Sequence, residues 1–227
     1  SHNTVCVDGI SSYPVMKSNH SFDLLSCFPA SAEPGKAFTS VTYSNLYFRE
    51  PESRADQTRM MSIVTTGAET GYYVDVFRSR KEKGGDKMHD YFYHNLGQTL
   101  TLTAADGSDL NLQPTEELAF AGAHLYAYSY LYDKKVAATN KDVKATFTID
   151  MKDKDGDDIY MNLWMKGEPD REVFTALAPM TEGLSRTPNM PYNIKEQPTL
   201  TFVARQHGEA WNRPFVSIYE PSTKKEP

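Results

Sequence analysis

The chain of 227 residues is 39% hydrophobic and 12% aromatic, and its formal net charge is −6. This composition supplies a sizeable core and argues against whole-chain disorder. The acidic balance argues against a general nucleic-acid binder, which needs a basic phosphate-facing surface. No run approaches the ~20 apolar residues of a membrane span.

In chain order, Ser1–Gly9 reads as a strand with Val5 and Val7 on one face and Thr4 and Cys6 on the other, closed by the Asp8-Gly9 turn signal. Ser11–His20 is loop-like, and Ser26–Lys36, with its prolines and glycine, reads as a surface loop. Cys6 and Cys27 could form a disulfide or remain thiols, and no CxxC or zinc-type Cys/His spacing occurs. Ala37–Glu50 and Arg59–Thr66 are strand candidates by their aromatic and β-branched content.

Gly71–Gly97 is the most informative stretch. Tyr72–Ser79 and Met88–Asn95 flank the Lys- and Gly-rich break Lys81–Lys87, which predicts a hairpin. Alternation places Tyr73, Asp75 and Phe77 on one face of the first strand. In the second, His89 and His94 fall on opposite faces unless a bulge shifts the register. Arg78 reads as a cross-strand partner rather than a sugar clamp.

Gln98–Ala104 alternates leucine with threonine, as a half-buried strand does. Pro114–Leu118 reads as a short helical turn. His124–Tyr132 is ambiguous, with its aromatics favouring strand. Val143–Met151 and Ile159–Lys166 predict a second hairpin. The acidic run between them lacks the glycine and glutamate spacing of a calcium loop and reads as a solvated turn. Gly167–Gln197 reads as a long excursion with a helical turn at Arg171–Leu177. Thr199–Gln206 and Pro214–Tyr219 are the last strands. Many short strands without βαβ alternation predict an all-β, large antiparallel β-sandwich with few short helices. Its expected extent is one domain over 1–220, followed by a polar tail at 221–227.

Three segments carry a family resemblance: SHNTVCVDG at the start, VDVFR through HDYFYHN in the middle, and ARQHGEAWNRPFVSIYEPS near the end. Together they resemble the C-terminal β-domain of the heparinase II/III-like polysaccharide lyases. The resemblance implies a stacked-sheet lyase/mutarotase-like sandwich, N-terminally incomplete, from a periplasmic or secreted protein. It also implies β-elimination on an acidic polysaccharide, with the catalytic tyrosine and histidine on an N-terminal α/α-toroid outside this chain. By the same resemblance, His2 is a zinc ligand whose partner ligands lie in earlier sequence; one imidazole alone does not hold zinc. No catalytic residue is assigned within the chain.

The candidate substrate-binding residues are Arg205, His207, Trp211 and Arg213, with His89 and His94. Arginine forks match carboxylates and sulfates bidentately, and an indole stacks on a sugar face. The competing reading is structural: Trp211 plugging the core, Arg213 paired with an acid, and both strand histidines held by hydrogen bonds. A non-catalytic carbohydrate-binding or scaffolding module is the alternative function.

Overall fold

The computed structural model describes residues 3–10, 21–29, 40–119, 128–152, 155–181, 183, 186–188, 190 and 192–224. They form two stacked antiparallel sheets. The larger contains, in spatial order, β2 (Asp23–Phe28), β3 (Val41–Glu50), β4 (Ala55–Thr65), β5 (Gly71–Lys81), β14 (Ala210–Ser222), β11 (Ile159–Met165), β10 (Val143–Ile149) and β7 (Thr99–Ala104). The smaller contains β1 (Val5–Val7), β6 (Met88–Asn95), β13 (Thr199–His207), β12 (Arg171–Ala178), β9 (Tyr132–Thr139) and β8 (Gln113–Pro114). This is the predicted β-sandwich. Among the described residues, no helix is long and apolar enough to cross a membrane.

The alternation of each strand explains the core. Phe77 of β5, Phe215 of β14, Leu163 of β11 and Phe147 of β10 point inward from the large sheet. Val5, Tyr91, Phe202 and Val173 meet them from the small one. The opposite face of the small sheet has a second core, in which Cys6, Phe92, Phe174 and Val203 pack against Leu118, Tyr128 and Leu131. Val5 and Val7 thus face one core and Cys6 the other, as the alternation of the first strand requires. Cys6 and Cys27 are both free thiols.

The stretch Gly71–Gly97 departs from the hairpin reading. β5 pairs with β4 and β14, whereas β6 pairs with β1 and β13. The connection between them is therefore an arch from one sheet to the other. Gly84 and Gly85 take φ of 68° and 75° there, values that side chains disfavour. Asp8 clamps the arch: its Oδ1 accepts the amides of Lys87 and Met88 at 2.8 and 3.0 Å, and its Oδ2 accepts Lys81 Nζ. The hairpin predicted around Asp153–Asp158 does form, with Val143 opposite Met165 and Ile149 opposite Ile159.

Other local readings are corrected. Arg171–Leu177 lies in strand β12, between β9 and β13, rather than in a helical turn. Its inward and outward residues alternate, and both edges have hydrogen-bonding partners, which overrides local helix propensity. Gln113–Pro114 is a short strand on β9, and no helical turn forms through Leu118. Ser26–Phe28 belongs to β2 rather than to a loop, because β3 supplies its ladder. Tyr128–Tyr130 is a 3₁₀ turn, Leu131 packs in the second core and Tyr132 begins β9; the part of that reading from His124 to Ala127 lies outside the described residues. So do the readings of Ser11–His20 and of the calcium-loop residues Asp153 and Lys154. Strand β14 continues to Ser222, beyond the predicted start of the tail.

Candidate functional site: an open cavity on the large sheet

Strands β3, β4 and β5 carry their inward faces past the cover of the small sheet. At one end of these strands Gln57, Phe77 and Ser79 are buried. Towards the other end, on the same face, Met61, Ile63 and Tyr73 are 44%, 48% and 43% exposed. The transition leaves an open cavity of about 600 Å³. Met61, Ile63, Tyr73 and Met161 give it an apolar wall, and Arg59, Asp75, Tyr93 and Tyr219 give it a polar floor.

The floor is a connected network. Arg59 Nε and Nη2 donate to the two oxygens of Asp75 at 2.9 and 2.7 Å, and Nη1 donates to the Asn3 carbonyl at 2.9 Å. The Tyr91 hydroxyl donates to Asp75 Oδ2 at 2.7 Å and also meets the Tyr219 hydroxyl. Cross-strand register builds this group. Asp75 lies opposite Met61 on one side and Ser217 on the other, which brings Arg59 and Tyr219 diagonally beside it. Burial pushes the phenols of Tyr91 and Tyr219 well up and that of Tyr93 to about 12. All three are neutral at neutral pH. Burial opposes the charge on Arg59, but the Asp75 fork outweighs it and raises the guanidinium pKa. The cavity therefore offers a permanent cation, neutral phenols and an apolar wall. Among the described residues, no histidine lines it.

The residues singled out from the sequence lie elsewhere. Arg205 is on the far face of the small sheet, where its Nε and Nη2 fork onto Asp90 at 2.7 and 3.0 Å and Nη1 reaches Glu117 at 2.5 Å. His94, stacked on Phe92 with ring centroids 5.9 Å apart, meets Thr201 Oγ1 at 2.8 Å. His207 is half-exposed, with Nε2 2.8 Å from Glu172. Arg213 donates to the His207 carbonyl at 3.1 Å. Trp211 is half-buried, with the Arg80 guanidinium 4.2 Å over its ring. Arg78 donates across strands to the Trp211 carbonyl. The structure thus gathers His207, Trp211 and Arg213 around the β13–β14 turn, with Arg205 directed away into the second core. His2 lies outside the described residues, and among the described residues no three His, Cys, Asp or Glu side chains converge to hold a metal ion.

His89 is fully buried beneath the arch, with Nε2 2.9 Å from Asp86 and, among the described residues, no hydrogen-bond partner for Nδ1. Burial lowers its pKa despite the Asp86 carboxylate. A depressed folded-state pKa gives stability that is present above the unfolded value of about 6.5 and is lost as pH falls below it. Urea midpoints measured from about pH 7.5 down to about pH 5 should therefore fall. The His89→Gln chain should show a shallower slope, and equal slopes would refute this account.

Sequence reasoning missed Arg59, Tyr93 and Tyr219 as site residues. The available signal was Asp75, a carboxylate on an otherwise aromatic strand face, because a charge on an inward face needs a partner.

No protein-family model matches the chain. The chain is 33% identical over 186 residues to an endo-acting ulvan lyase of Formosa agariphila, a match covering 80% of this chain and 21% of that enzyme. The chain therefore spans about a fifth of the length of the curated relative it matches. By this similarity, the β-sandwich is related to part of a polysaccharide lyase.

Proposed function

We propose that this chain is the C-terminal β-sandwich portion of a heparinase II/III-like polysaccharide lyase that cleaves uronate-containing glycans by β-elimination. In this reading it forms one wall of the substrate cleft. The observation carrying the proposal is the 33% identity to an ulvan lyase over 80% of the chain. The cation-bearing cavity with an apolar wall supports it, because acidic sugars present a carboxylate beside an apolar ring face.

The chemistry explains why such a wall is needed. A base takes the C5 proton of the uronate, the C4–O4 bond breaks, a C4–C5 double bond forms, and the departing O4 receives a proton. Neutralising the uronate carboxylate stabilises the enolate-like state on the way. The neutral phenols of the cavity are poor bases at neutral pH, and the resemblance to the heparinase II/III-like lyases implies that the proton-moving groups lie on a preceding α/α-toroid. By the same resemblance, His2 would be one ligand of a zinc ion whose other ligands come from earlier sequence, and no step of the reaction is routed through it. A polymeric substrate of this kind suits a periplasmic or secreted protein.

The purified chain should yield no unsaturated product from ulvan or other uronate glycans, as followed by ultraviolet absorbance. A longer protein containing both the chain and a preceding helical domain should yield it. Product from the chain alone would overturn its accessory role; none from the longer protein would overturn the lyase reading.

A further inference from the structure

We infer that the cavity over β3, β4 and β5 is a subsite for an acidic sugar, with Arg59 binding the anionic substituent and Tyr219 accepting a sugar hydroxyl. This assignment rests on the proposed lyase role and names the residues that would recognise the substrate there.

The hydrogen-bond directions fix what each group has left to offer. Arginine has five N–H donors. Among the described residues, three are spent on Asp75 and the Asn3 carbonyl, which leaves one on each terminal nitrogen. The Arg59 side chain is 20% exposed and that of Asp75 is 4% exposed, so the cation faces the cavity and the carboxylate lies behind it. The fork holds the guanidinium plane, so little rotamer entropy remains to be lost when an anion binds. Tyr91 spends its single proton on Asp75. The contact between the two phenols then requires Tyr219 to donate to Tyr91. The outward lone pairs of Tyr219 are left as acceptors. Tyr93 accepts from Asn95 Nδ2 at 3.3 Å, which leaves its O–H as a donor.

The cavity thus combines two charged N–H donors, a neutral O–H donor and an acceptor, with Met61, Ile63 and Tyr73 for the apolar face of a ring. A carboxylate satisfies the Arg59 donors, a sugar hydroxyl satisfies Tyr219, and the Tyr73 ring offers a stacking surface. A neutral glycan would leave the cation desolvated without an acceptor of equal strength.

Titration calorimetry on the full chain tests this with a glucuronate-containing oligosaccharide and its carboxyl-reduced counterpart. The acidic form should bind at least tenfold more tightly, and this preference should shrink as salt is raised. Met61→Glu and Met61→Gln both remove the same apolar contact from the wall, but only the first adds a negative charge, so Met61→Glu should bind the acidic oligosaccharide at least tenfold more weakly than Met61→Gln. Arg59→Lys, which keeps the charge but loses the fork, should bind more weakly than the parent. If it does not fold, the Met61 pair still decides the matter. Equal binding of the two oligosaccharides, no binding of either, or equal behaviour of the two Met61 variants would overturn the subsite. Cleavage of the polymer by the longer protein would stand in those cases, so the subsite can fail without the lyase reading failing.

Discussion

Asp90→Ala is expected to destabilise the chain by about 3–5 kcal/mol, the usual cost of stranding one partner of a buried ion pair. Asp90 is fully buried and accepts both arms of the Arg205 fork, while Tyr128 donates to the same carboxylate at 2.7 Å. The Arg205 guanidinium lies 5.1 Å over the Phe174 ring, in a wall without other buried anions among the described residues. Glu117, half-exposed, is left to compensate the cation. The loss comes from the uncompensated charge, so the double variant Asp90→Ala/Arg205→Met should recover much of it. Urea denaturation of the parent, both single variants and the double variant measures the coupling. A single-variant cost below about 1 kcal/mol, typical of exposed pairs, would show that the pair is solvated and the account wrong.

Phe215→Ala should cost a comparable ~3–5 kcal/mol, for a different reason. Phe215 is fully buried at the centre of the sandwich, 5.4 Å from the Tyr91 ring, and supports Arg171, whose guanidinium sits 5.0 Å over its face. Arg171 is 1% exposed, and its Nε has no hydrogen-bond partner among the described residues. Its terminal nitrogens are held by the Lys166 carbonyl and by Gln206 Oε1, the latter at 3.1 Å. Burial outweighs the field of the nearby Glu168 carboxylate and lowers its pKa to about 10. Removing the ring therefore opens a cavity and takes away a favourable face for a poorly compensated cation. Phe215→Leu refills most of the volume and should recover more than half of the loss. Thermal and urea unfolding of the two variants separates the cases: equal costs would mean that neither volume nor ring face matters there.

Some of this molecule was legible residue by residue. The alternation in Tyr72–Ser79 correctly placed Asp75 beside Tyr73 and Phe77, and that in Met88–Asn95 correctly put His89 and His94 on opposite faces. Period-two patterning is a local property of the backbone, so a single strand reveals its own faces. It does not reveal what lies across from them. Asp75 meets Arg59 from 16 residues away, and Tyr219 reaches Tyr91 across 128. No local window holds both members of either pair. Arg205, His207, Trp211 and Arg213 are close in the chain, and that closeness suggested one cluster. Arg205 and His207 share a face of β13, but Arg205 lies under the second core, locked on Asp90, while His207 sits at the exposed end of the strand beside the turn that carries Trp211 and Arg213.

The sequence by itself determined an all-β chain, its main strands and the sidedness of their residues, because these follow from side-chain branching, aromatic content and a two-residue repeat. Tertiary structure alone decided which strands became neighbours. The glycine-rich link after β5 closes an arch because β4 and β14 already occupy both edges of β5. Arg171–Ala178 is extended because β9 and β13 supply ladders on both sides. The cavity exists because one sheet outreaches the other, a consequence of pairings between distant segments.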